Sequence, residues 1–108
     1  MIRLLREINH ELIKHIINEN QLVLIDYYMQ SDTLSDMLYN VMIQVQRNLE
    51  NHIIIATCNI DKEEKVKEQM GIKDLPAVIL YKNGHEVAKM TGFRRAATII
   101  DMVNEHDI

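Results

Sequence analysis

Leu22-Val23-Leu24-Ile25-Asp26-Tyr27-Tyr28, with Ser31-Asp32-Thr33-Leu34-Ser35 close behind it, is the stretch that decides the fold. The first seven residues are an apolar run with β-branched and aromatic side chains, which suits a strand covered on both faces. One carboxylate, Asp26, interrupts the run. Ser31-Asp32-Thr33 then supplies residue types that start helices, because their side-chain oxygens accept the free N–H groups of a first turn. Asp36, three residues after Thr33, comes close to a capping box. Leu34, Leu38, Val41, Met42, Val45 and Leu49 recur at helical spacing, so a long helix with one apolar stripe follows the strand.

Outward from this unit, the same reasoning divides the rest of the chain. On the N-terminal side, Ile2 to Ile8 reads as a short strand or extended lead-in. Asn9 caps a helix that runs to about Asn18, with Leu12, Ile13, Ile16 and Ile17 at helical spacing. On the C-terminal side, His52 to Cys58 is a second buried strand, centred on Ile53-Ile54-Ile55. Asp61 to Met70 reads as a charged helix stopped by Gly71. Ala77 to Tyr81 is a strand preceded by Pro76. Lys82-Asn83-Gly84-His85 is a hairpin turn, because Asn-Gly supplies the positive φ angles of type I′. Glu86 to Thr91 returns, Gly92 ends it, and Ala96, Ile99, Ile100 and Val103 mark a closing helix. Early strand–helix alternation implies parallel crossovers, and the late hairpin adds an antiparallel pair. The expectation is one α/β domain over residues 1–108, a mixed five-stranded sheet flanked by four helices.

Composition narrows the function. The chain has 108 residues, 47% of them hydrophobic, which is enough for a core without staples. Aromatic residues make up only 5%, so Ile, Leu, Val and Met must build that core. A net charge of -4 argues against a general nucleic-acid binder. Arg94-Arg95 reads as a surface pair at a helix start. No stretch reaches the ~18 apolar residues of a membrane span. Arg3, Arg6 and Glu7 break up the first nine residues too much for a secretory signal, so a cytoplasmic location is expected. The single cysteine, Cys58, has no partner in the chain for a disulfide. His10, His15, His52, His85 and His106 are scattered, with no metal-ligand spacing, so neither a metal nor a cofactor is expected. Met37, Met42 and Met102 read as core.

Four segments together resemble the thioredoxin family, nearly end to end. Val23-Leu24-Ile25-Asp26-Tyr27-Tyr28 resembles its central strand with a buried acid. Asn59-Ile60-Asp61 resembles the segment before its third helix. Gly71-Ile72-Lys73-Asp74-Leu75-Pro76-Ala77 resembles the loop that holds its cis-proline. Tyr81-Lys82-Asn83-Gly84 and then Gly92 resemble its terminal hairpin. The resemblance implies a thioredoxin-like fold. It also places the family's Cys-Gly-Pro-Cys on Asp32-Thr33-Leu34-Ser35, and its preceding tryptophan on Ser31. Both thiols are therefore absent at the place where one should attack a disulfide and the other resolve the intermediate.

These positions can be read as a remodelled polar edge or simply as helix caps. Asp26 matches the family's buried acid, with Thr57 where many members carry a lysine. Its carboxyl is expected to be satisfied by water or a hydroxyl and to titrate above its ordinary range. Cys58 is expected to pack as a small buried hydrophobe. For Pro76, the default is a trans bond and the resemblance implies a cis one. A cis bond would turn the Leu75 backbone outward, where family members pair it with an extended peptide. Three functional readings follow. The first is a noncatalytic module that holds an extended segment of a partner protein along Ser31 to Leu34, Leu75-Pro76 and Gly92-Phe93. The second is a residual thiol–disulfide oxidoreductase in redox homeostasis, working through Cys58 or a thiol cofactor such as glutathione. The third uses the groove to assemble a homo-oligomer.

Overall fold

A computed structural model describes residues 5–49 and 53–107. Five strands and four helices occur among them: β1 (Arg6–Glu7), α1 (His10–Glu19), β2 (Leu22–Tyr28), α2 (Thr33–Leu49), β3 (Ile54–Asn59), α3 (Glu64–Gln69), β4 (Ala77–Lys82), β5 (His85–Thr91) and α4 (Ala96–His106). They form the mixed α/β architecture expected from the sequence. Residues 2–4 of the expected first strand, and His52, lie outside the described residues.

The sheet order is β1-β3-β2-β4-β5. β3 runs parallel to both β1 and β2, whereas β4 is antiparallel to β2 and β5. β2 lies in the middle, and its residues through Tyr27 are all buried. Because side chains alternate across a strand, the apolar run of β2 feeds two cores. Val23, Ile25 and Tyr27 join Ile13, Ile16, Ile17 and Val66 of α1 and α3. Leu22 and Leu24 join Leu38, Met42, Val45, Ile99, Met102 and Val103 of α2 and α4 on the other face. Each fully buried Leu or Ile contributes roughly 1.5–3 kcal/mol relative to exposure.

Local chemistry sets most of the boundaries. Asn9 caps α1 as expected, its Oδ1 accepting the Leu12 N–H at 3.0 Å. Asn83 and Gly84 have φ of 50° and 86°, as a type I′ turn needs. The third helix differs from expectation. It begins at Glu64 rather than Asp61, because the Asp61 carboxylate is engaged with the β2–α2 loop and does not cap a helix. Met37 is not core, being 45% exposed. Leu34, Met37 and Val41 lie on one line beside the buried Ser35, Leu38, Met42, Val45 and Leu49, so the packed surface reaches only part of that flank. Leu12 is exposed on α1 for the same reason.

Candidate functional site

Strand register brings the expected site residues to one end of the sheet. Tyr27, near the end of β2, stands opposite Ala77 at the start of β4. The loop leading to α2 and the Pro76 loop therefore share an edge. Ala77 stands opposite Thr91 in turn, and the Gly92 N–H donates to the Pro76 carbonyl oxygen at 2.8 Å. Gly92 has φ of 75°, a left-handed conformation that glycine adopts without a Cβ clash. The Leu75–Pro76 peptide bond is cis. Pro76 is buried, and Leu75 is half-buried against the α1/α3 core. Phe93 is 37% exposed and Leu34 45%. This end of the sheet thus combines an anchored proline loop with large apolar groups turned to solvent.

At the start of α2, Asp32 is the N-cap. Its Oδ2 accepts the Ser35 N–H at 3.0 Å, and its carbonyl oxygen accepts the Asp36 N–H at 2.9 Å. The cap is therefore one residue earlier than a Thr33–Asp36 capping box would place it. Thr33 opens the helix and is exposed. A carboxylate here meets both a free N–H and the positive end of the helix dipole. Ser35 is buried, and its Oγ accepts the Met29 N–H at 3.2 Å. No carboxylate or imidazole among the described residues hydrogen-bonds to that hydroxyl. Ser31 has φ of 60°, unusual for a residue with a Cβ.

Sequence reasoning missed three residues at this end. The Gln30 N–H donates to Asp61 Oδ2 at 2.7 Å, and Asn59 Nδ2 donates to Gln30 Oε1 at 3.1 Å. The Asp61 N–H donates to Asn59 Oδ1 at 3.0 Å. The only sequence signal was the Asn-x-Asp spacing directly after a strand, which permits an Asx turn.

Asp26 lies fully buried on β2 with Thr57 opposite it on β3. The expectation of a hydroxyl partner fails. The Thr57 hydroxyl donates to the Asp26 carbonyl oxygen, and neither carboxyl oxygen has a hydrogen-bond partner among the described residues. Burial pushes the Asp26 carboxyl up to about 7. Cys58 is also fully buried, opposite Tyr27. Burial first, then the Glu63 and Glu7 carboxylates, push its thiol up to about 12. Tyr27 and Tyr81 share a buried hydrogen bond of 2.8 Å between their hydroxyls. No group of three or more His, Cys, Asp or Glu among the described residues is arranged to hold a metal ion. No helix among them is long and apolar enough to cross a membrane.

A mixed sheet between two helical layers, with a cis-proline loop beside a helix start, defines the thioredoxin-like class. Residues 4–105 match the family model described as Thioredoxin. The chain is 31% identical over 85 residues to a thioredoxin of Chlamydia caviae, covering 79% of this chain and 82% of the relative. It is 25% identical over 84 residues to a thioredoxin of Rickettsia bellii, covering 78% and 80%. A mutant thioredoxin from Halobacterium salinarum superimposes with a TM-score of 0.87 at 16% identity, covering 95% of this chain and 90% of that one. Oxidised thioredoxin from Plasmodium falciparum gives 0.84 at 16% identity, covering 96% and 99%. The chain belongs to the thioredoxin family. With one cysteine in 108 residues, it carries no Cys-x-x-Cys pair.

Proposed function

We propose that this thioredoxin-like protein carries out no dithiol–disulfide exchange and instead holds an extended segment of a partner protein beside the Pro76 loop. One observation carries the reading. The two helix-start positions that would bear thiols hold a capping carboxylate, Asp32, and a buried bracing hydroxyl, Ser35. The neighbouring Pro76 loop is anchored by the Gly92 N–H on the Pro76 carbonyl oxygen. Leu34 and Phe93 offer apolar contact to an incoming segment, and the Leu75 backbone offers strand-like pairing.

A residual oxidoreductase working through Cys58 is the weaker reading. A thiol must ionise and be reached before it attacks a disulfide. Cys58 is fully buried and its thiol is pushed up to about 12. A cytoplasmic setting fits a chain with one cysteine, and a second copy of the chain is one partner that the same groove could take.

Two measurements test the proposal. Reduction of insulin by dithiothreitol should proceed at the background rate with this protein added. Activity above background that disappears in Cys58→Ser would favour the oxidoreductase. Affinity capture followed by mass spectrometry should yield a defined protein that is lost with Leu75→Ala and Phe93→Ala together. Capture indifferent to both substitutions would dispose of the groove.

A further inference from the structure

None of the side-chain hydrogen bonds that grip Gln30 caps a helix or reaches the Pro76 loop. Gln30 sits exposed in the β2–α2 loop, yet Asn59 at the end of β3 and Asp61 just after it hold it at two points. Its N–H donates to Asp61 Oδ2, and its Oε1 accepts from Asn59 Nδ2. The third bond, from the Asp61 N–H to Asn59 Oδ1, closes a ring through residues 30, 59 and 61. Asn59 is itself buried, which limits its freedom to adopt another geometry.

On the other side of the loop, the Met29 N–H is held by Ser35 Oγ. Asp32 is fixed as the cap of α2. Ser31 lies between these tethers with φ of 60°. A non-glycine residue keeps such a conformation only where its surroundings over-determine it. The Asp61 carboxylate has a simpler potential task, capping α3, but it does not perform it. The N-cap there is Glu63, which makes no side-chain cap bond.

We infer that Asn59 and Asp61 are positioning residues that clamp Gln30 and so preset the path of residues 30–34, including exposed Leu34. Their use in binding rests on the groove reading above, whereas the clamp itself is testable without a partner. A wall already ordered in the free protein gives up little conformational freedom when a segment docks.

Amide hydrogen exchange and 15N relaxation, measured by NMR on the whole chain, test the clamp. In Asp61→Ala, the Gln30 amide should exchange at least tenfold faster, and Ser31 should gain fast motion. The Ile25 and Ile79 amides should stay as protected as in the parent. Asp61→Asn, which keeps an acceptor oxygen, should restore most of the protection. Asn59→Ala should loosen the same loop. If that buried change unfolds the chain, the exposed Asp61 variants decide the matter. Changes confined to residues 61–64, with Gln30 and Ser31 unaltered, would overturn the clamp and leave a local turn. Failure of the clamp would be seen in these partner-free spectra, and failure of the groove only in capture, so the two are distinguishable.

Discussion

Thr57 stands opposite Asp26 in the β2–β3 ladder, yet its hydroxyl reaches the Asp26 carbonyl at 3.1 Å and not the carboxyl. The acid is left fully buried, with neither carboxyl oxygen hydrogen-bonded to any described residue. Burial disfavours the ionised form and pushes the group from 3.8 up to about 7. Between those values the folded chain binds more protons than the unfolded one, so stability falls as pH rises from about 4 to about 7. Below the unfolded value the contribution is complete, and above the folded value it is lost. The loss is on the order of 4 kcal/mol. Asp26→Asn should remove most of this slope and be more stable than the parent at pH 8. Urea unfolding at pH 4.5 and pH 8 checks it, and parallel pH profiles for parent and variant would refute the assignment.

The hydroxyls of Tyr27 and Tyr81 satisfy each other across the α1/α3 core. Removing one leaves the other buried without a partner. Tyr81→Phe should therefore destabilise by about 1–3 kcal/mol. The double change Tyr27→Phe with Tyr81→Phe should cost less than the sum of the single changes, because no orphan hydroxyl remains. A double-mutant cycle in denaturant measures the coupling. Strict additivity would show that the bond contributes nothing.

Asp32 acts at the helix tip as a cap, so the chain should feel its loss as stability. Asp32→Ala should cost about 1 kcal/mol, while Asp32→Ser, which keeps an acceptor, should cost a few tenths. Thermal unfolding followed by circular dichroism would separate them. Equal losses in both variants would mean that the Asp32 to Ser35 N–H bond is unimportant.

Native Cys58 should resist thiol reagents. With its thiol pushed up to about 12, only a minute fraction is ionised at pH 8, and the group is fully buried. Labelling should proceed through opening of the fold and become fast in denaturant. A native labelling rate close to that of a free thiol would reopen the oxidoreductase reading.

The apolar run from Leu22 to Tyr28, the Asn9 cap and the Asn83-Gly84 turn were legible because each depends on neighbours in sequence. The Gln30–Asn59–Asp61 ring was not. Gln30 lies 29 and 31 residues from Asn59 and Asp61 and meets them only because β2 and β3 pair in parallel and end side by side. Met37 misled for a related reason. Helical spacing shows that a flank is apolar but not how far the neighbouring layer extends over it.

By itself, the sequence determined the order of strands and helices, the lack of a second thiol, and the means of starting and ending most elements. These follow from side-chain volume, capping chemistry and residue identity, which act over a few residues. Only the tertiary structure decided that the Thr57 hydroxyl reaches the Asp26 carbonyl and not its carboxyl, that Asp61 turns away from α3 to hold Gln30, and that Leu34 and Met37 face solvent. Those outcomes depend on strand register and on the reach of one layer over another, which are set by contacts between segments distant in the chain.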